Sequence, residues 1–304
     1  MIRHVFVTPI PDTNGGAIPA GAIDIADPRE FGLEEPEGLF RPEGDDHIVE
    51  LGGIDASYYS GTDLKAREIT FNITAQSDMQ RMRLYKALPF GTQRRFWIET
   101  NVGTFWIDGY AASIPGVVEQ TPWSDHKVKI KCPYPWFRSL HPNIFDVPIL
   151  SIDGDGGTAD YASLSQHGDV AAGVELFVGY KSDKRPYPES SYPGAAFTMQ
   201  DLALNVFKFN YTHDDTVAIK YSNKPVLLIN TTPGSFGWAK LEKRSSEGTH
   251  ILKKYIPSSI TLSGDNIVVP PDEGNSIGFY FDYHMDYSQY FRAYAQVFDT
   301  WSGI

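Results

Sequence analysis

Cysteine is nearly missing from these 304 residues: Cys132 stands alone, which excludes an internal disulfide and any multi-cysteine zinc site. It falls on the apolar face of an alternating strand pattern and reads as a small buried residue, not a nucleophile. Long apolar runs are lacking too, with no stretch of about 18 such residues and no charged-then-apolar leader. That predicts a soluble protein made in a cytoplasm, without membrane insertion. Charged residues reach only 21%, against 41% hydrophobic and 13% aromatic, so a core can be buried and wholesale disorder is disfavoured. Phosphate-binding glycine loops are absent, both the Gly-x-x-x-x-Gly-Lys-Ser/Thr form and Gly-x-Gly-x-x-Gly after a strand. The eight histidines are scattered, with no His-x-x-x-His on a helix. Asp153-Gly-Asp-Gly-Gly lacks the later ligands of a calcium loop, since Gly157 and Leu164 hold those places, and reads as a turn.

Glycine (27) and proline (21) are plentiful and punctuate the chain every few residues, favouring short strands over long helices. The length suits two domains. From Lys127 to Cys132 the alternation is strict, with Val128, Ile130 and Cys132 on one face and Lys127, Lys129 and Lys131 on the other. Pro133 and Pro135 end that strand, and the sequence changes character beyond them. The border of the domains is therefore placed at 140, giving 1–140 and 141–304.

In the first domain, Ile69, Phe71 and Ile73 alternate with polar residues as a half-buried strand. Ser77 and Gln80 form a capping box for one short helix, with Asp78 in its first turn, Met79, Met82 and Tyr85 along one stripe, and Pro89 at its end. A hairpin follows, Arg95 to Thr100 and Thr104 to Tyr110 across Asn101-Val102-Gly103. In the second domain the elements are short and strand-like, spaced as in an all-β sandwich.

The net charge of -12 is segregated. Between Asp24 and Glu50 ten acids face two arginines, a local balance of -8, whereas residues 51–140 carry +3. Such segregation suits copies that meet head to tail, and its overall sign disfavours nucleic-acid binding. The stretch 11–50 reads as a long acidic excursion, not a packed element, ordered most simply by neighbouring chains.

Gly53-Ile-Asp-Ala-Ser-Tyr-Tyr-Ser-Gly, Arg67-Glu-Ile-Thr-Phe-Asn-Ile, Trp97-Ile-Glu-Thr-Asn-Val-Gly-Thr-Phe-Trp-Ile-Asp-Gly-Tyr and Val128-Lys-Ile-Lys-Cys-Pro-Tyr-Pro-Trp-Phe follow one another in order. On these segments the chain resembles the distal tail (Dit) proteins of long-tailed bacteriophages. The resemblance implies a mainly β fold: an N-terminal ring-forming belt domain with one helix, then a C-terminal galectin-like β-sandwich. It further implies a structural, non-enzymatic part of the virion tail tip, assembled in the host cytoplasm without a cofactor. A ring, of six copies in the family, joins the tail tube to the baseplate hub, with tape measure and receptor-binding proteins as further partners. DNA passes through such a ring without specific binding. The acidic excursion has no match in the family pattern.

Two surfaces are expected to matter. Lys127, Lys129 and Lys131 face a neighbouring copy or the ring's neighbours above and below, with snorkelling surface lysines as the alternative. Glu34, Glu35, Glu37, Asp45 and Asp46 face the channel or a basic partner. Alternative functions are a carbohydrate-binding module for host-surface glycan, for which no galectin-type sugar motif is seen, and a tail-associated hydrolase, for which no site constellation is seen.

Overall fold

A computed structural model describes residues 2–11, 17–42, 44–50, 57–118, 123–151, 161–180, 195–201, 206–211, 225–230, 238–244, 250–252, 260–264, 267–281 and 291–304. The fold is mainly β, with a single α-helix among the described residues. Two compact units emerge: Met1–His141 together with Thr300–Ile304, and Pro142–Asp299 between them. The expected border at 140 thus misses the last five residues, which rejoin the first unit. Thr300 and Trp301 pair there with Arg138 and Phe137, and the Trp301 ring meets Phe105 edge-on.

The first unit contains β1 (Ile2–Pro9), β2 (Ile23–Asp24), β3 (Phe31–Leu33), β4 (Gly44–Glu50), β5 (Ser57–Leu64), β6 (Arg67–Ala75), α1 (Asp78–Ala87), β7 (Gln93–Thr100), β8 (Thr104–Ser113), β9 (Gly116–Val118), β10 (Ser124–Cys132) and β11 (Phe137–Ser139). Its main sheet runs β2-β1-β7-β8-β10-β6-β3, with β9 on β10 and β11 on β8. Strands β7 and β8 form the expected hairpin, closed by the Thr100 N–H donating to Gly103 O at 2.9 Å. Pro133 and Pro135 end β10 but not the sheet. The chain resumes as β11 along the same neighbour, β8, nearer that strand's start.

The acidic excursion is packed, contrary to its composition. Its β2 pairs β1 at one edge of the sheet, and its β3 pairs β6 at the other. Laid flat, the six gaps between these strands would span about 29 Å, at 4.7–4.9 Å each. The seven-residue step from Asp24 to Phe31 reaches at most ~25 Å. It is also shortened by a turn, in which Glu30 and Phe31 both donate to Asp27 O. The sheet must therefore curl until its edges approach. Ile25, Phe31 and Leu39 are buried inside it, beside Val5, Ile69, Phe71 and Phe96. Asp24 secures the entry, accepting from Val5 and Ala26 N–H at 3.1 and 2.9 Å and meeting His4 at 2.6 Å. A few widely spaced apolar anchors and two strand edges are enough to order a segment that reads as a loop. The rest of the excursion, β4, pairs with β5 as a separate two-stranded sheet.

A second layer lies on the far face of β7 and β8. Arg95 is buried, held by both oxygens of Asp108 at 2.7 and 2.8 Å, with its guanidinium 3.6 Å from the centre of the Trp106 ring. Arg138 lies over the same ring, and Trp97 donates to Thr8 Oγ1 at 3.0 Å.

The second unit holds two sheets among the described residues. One runs Asn143–Val147, Phe291–Val297, Ala172–Tyr180, Pro225–Asn230, Trp238–Arg244 and His250–Leu252, with Val268–Val269 beside Ala172–Tyr180. The other runs Ile149–Ser151, Asn275–Phe281, Ala195–Asp201, Val206–Tyr211 and Ile260–Gly264, with Ala162–Leu164 beside Asn275–Phe281. Only the pairing of Ile149–Ser151 with Asn275–Phe281 is parallel. Val174, Leu176, Ala295 and Val297 are buried on the first sheet and Ile277 on the second. Asp299 closes the unit by accepting from Asn143 Nδ2 and the His167 N–H, both at 2.9 Å. The Asp153-Gly-Asp-Gly-Gly turn lies outside the described residues.

Candidate functional site

Strand β10 shows its two faces as the alternation dictates. Val128, Ile130 and Cys132 are fully buried, Lys127 and Lys129 are exposed, and Lys131 is half-buried. Burial pushes the Cys132 thiol up to about 12, against the pull of Arg67 and with a smaller push from Asp108. It is a packing residue. The register sets Asn72, Thr70 and Glu68 of β6 opposite Lys127, Lys129 and Lys131.

Glu34, Glu35 and Glu37 are exposed and run along the far side of β6. The Glu34 N–H donates to Asn72 O at 3.0 Å, and Glu37 exchanges both backbone bonds with Thr70 at 3.1 Å. Glu37, Thr70 and Lys129 thus stand side by side on one face, with lysine and glutamate rows about 10 Å apart, two strand spacings. No ion pair joins the rows among the described residues. Glu34 and Glu37, assigned from sequence to a different surface from the lysines, share the lysines' sheet face. Asp45 and Asp46 fall on β4, whose backbone pairs them with Asp63 and Thr62. Their side chains lie outside the described residues.

At the start of β6 sits a residue that sequence reasoning missed. Arg67 is buried, yet its guanidinium donates to Pro135 O at 2.6 Å, Gly38 O at 3.0 Å, Phe40 O at 2.7 Å and Ser302 O, and lies 4.5 Å from the centre of the Phe137 ring. One side chain ties together the excursion, the proline break and the end of the chain. Gly38 serves the same junction. Its φ of +82° suits glycine, and a Cβ there would stand 2.0 Å from Glu68 O.

At the other end of β6 lies α1. Ser77 caps it, accepting from the Gln80 N–H at 3.3 Å, while Gln80 Oε1 accepts from the Gln76 N–H at 2.8 Å. The expected apolar stripe does not enter the core: Met79 is 74% exposed, Met82 69% and Tyr85 44%. Leu84, Ala87 and Leu88 are buried instead. Their i, i+3, i+4 spacing was the better signal. Arg81 and Arg83 meet Asp78 and Glu30.

Tyr85 leans edge-on against His126 of β10, ring centres 5.5 Å apart. His126 is buried, with Nε2 2.9 Å from Ser124 Oγ and Nδ1 without a partner among the described residues. Burial, and secondarily Arg81, lowers its pKa below the usual histidine value despite the opposing effect of Asp125. The surroundings favour the neutral form of the ring. Gly116 is required beside it, since a Cβ there would fall 2.5 Å from Nδ1.

Among the described residues no three His, Cys, Asp or Glu side chains group as a metal site, and no helix is long and apolar enough to cross a membrane.

A curled β unit with one helix among the described residues and a two-sheet β unit make a fold shared with solved proteins of phage adsorption and baseplate assemblies. SPP1 Dit, described as a paradigm of the hub adsorption apparatus in phages infecting Gram-positive bacteria, has a TM-score of 0.52 at 12% identity, over 90% of this chain and 95% of that one. A chain of the phage P2 baseplate in its activated conformation with Ca gives 0.53 at 9% identity, over 98% of each. The phage p2 baseplate with Sr gives 0.52 at 8%, over 97% of each. No family model matches the sequence, and no curated protein does. At these identities the fold is what is shared.

Proposed function

We propose that this chain is a structural component of a bacteriophage tail tip. Its first unit closes into a ring with its copies, most simply six, between the tail tube and the baseplate hub, and the chain has no catalytic task. The observation that carries this reading is the fold match over nearly the whole of both chains, both units included, to proteins from phage baseplates and adsorption hubs. The surface supports it: charged rows lie open on the main sheet, and apolar side chains are exposed on α1. The second unit serves as the attachment point for other tail proteins, receptor-binding proteins among them. Lys127, Lys129 and Lys131 face an intersubunit or tail-contact surface, and Glu34, Glu35 and Glu37 face the channel or a basic partner; Asp45 and Asp46 are assigned with them.

The test is the mass of the purified full-length chain by native mass spectrometry, with class averages from electron microscopy. A closed oligomer with an open centre is expected, and a monomer at every concentration would count against the ring. Replacing the three lysines by Glu should weaken assembly more at low salt than at high salt, because screening shortens the reach of exposed charges to roughly 8 Å at physiological ionic strength. Equal assembly at all salt concentrations would return those lysines to ordinary surface residues.

A further inference from the structure

Two exposed apolar groups sit at opposite ends of β6. At one end is the stripe of α1, Met79, Met82 and Tyr85, each three residues from the next and therefore neighbours on one helix face. At the other end is Phe40, 79% exposed, whose carbonyl is held by Arg67. Tyr85 rests on His126, whose strand partner is Ile73, and Arg67 begins the same strand. Six residues of strand separate the two places, about 20 Å. One chain cannot bring them together.

Their surroundings are of opposite sign. Helix α1 carries Arg81, Arg83 and Lys86; Arg81 pairs with Asp78 and Arg83 with Glu30, and Lys86 stands exposed in the last turn. The segment from Glu34 to Phe40 carries three glutamates and no cation, all three exposed. An apolar centre with a charged rim is the usual make-up of a protein contact. The three side chains on α1 form an exposed apolar patch of the kind that marks such contacts, whereas Phe40 is a lone side chain, singled out by the glutamates beside it.

We infer that these are the two halves of one contact between successive copies of this chain: the stripe of α1 receives Phe40 of the next copy, and the glutamates beside Phe40 meet the cations of α1. This rests on the ring reading and names the surfaces that make the ring. Because the halves differ, the contact is head to tail, the kind that closes into a ring when the rotation allows.

The test puts Met82→Cys and Phe40→Cys into one full-length chain and treats it with a short bismaleimide. Cys132, buried and with its pKa pushed up to about 12, does not compete. A ladder of covalent oligomers is expected from the double variant, and none from either single variant. Covalent dimers from Met82→Cys alone would show that α1 meets α1, and would overturn the assignment. Light scattering on the same samples separates the other outcomes. An oligomer that yields no ladder overturns this contact and leaves the ring standing, whereas a monomer that yields no ladder overturns both.

Discussion

Strand β6 begins in a knot of polar bonds and ends beside a helix with an exposed apolar stripe. At its start a charged side chain, Arg67, is buried, and at its end two methionines of α1 are exposed. Both reverse what residue type alone suggests. The first is possible because four backbone carbonyls converge on the guanidinium, so the charge leaves water for full hydrogen bonding. The second has no internal reason, since Leu84, Ala87 and Leu88 already fill the core beneath the helix. The closed end is explained by the chain itself, and the open end is the one assigned above to a contact between copies.

The largest expected effect comes from breaking the closed end. Arg67→Met keeps the apolar stem but leaves the carbonyls of Gly38, Phe40, Pro135 and Ser302 without this donor. A hydrogen bond to a charged group contributes about 1.5–3 kcal/mol, and such losses do not add, so a destabilisation of ~3 kcal/mol or more is expected. Urea unfolding of the full chain measures it. Arg67→Lys should recover little, because a single ammonium cannot reproduce the guanidinium fork. A loss below ~1 kcal/mol would mean that the junction is held by its strands alone.

How much of this was legible in the sequence follows from separation along the chain. The alternation of β10, the β7–β8 hairpin and the Ser77 cap are local patterns, and they fold as read. Arg67 was not legible as an anchor, because its acceptors lie 27 to 235 residues away. The excursion was misread for the same reason: Ile25, Phe31 and Leu39 show no period, and their burial depends on the distant edges of β1 and β6. The lysine row was read from its strand. Its nearness to Glu37 was not, since only the bridge to Thr70 brings them together. The α1 stripe was legible as a stripe, but not which face of the helix is buried, because apolar residues occur on two faces and the buried set lies near the helix end.

A smaller effect sharpens the open end. Gly116→Ala puts a methyl group where the His126 ring lies, so the ring or strand β9 must shift. Overpacking of this kind costs about 1–3 kcal/mol. Since Tyr85 rests on that same ring, the disturbance should also reach α1. Faster amide exchange across 78–87 than in the unaltered protein is the expected result. Unchanged exchange there would show that the helix is held by its buried end alone.

The smallest effect is a dependence on acid. His126 has its folded pKa lowered, chiefly by burial, so below the unfolded value of 6.5 the unfolded chain binds a proton that the folded chain resists. Stability from this group is therefore complete above pH 6.5 and is lost as the pH falls below it. Burial fixes the sign; of the groups around the ring, Arg81 of α1 opposes protonation and Asp125 favours it, while Tyr85 and Ser124 supply contacts without charge. His126→Gln removes the titration while keeping a polar side chain of similar reach. The difference in unfolding midpoint between pH 7.5 and pH 5.5 should shrink in that variant. An unchanged difference would place the acid sensitivity elsewhere. It would also make the contact between Tyr85 and His126 a matter of shape alone, leaving the stripe of α1 governed by its apolar surface.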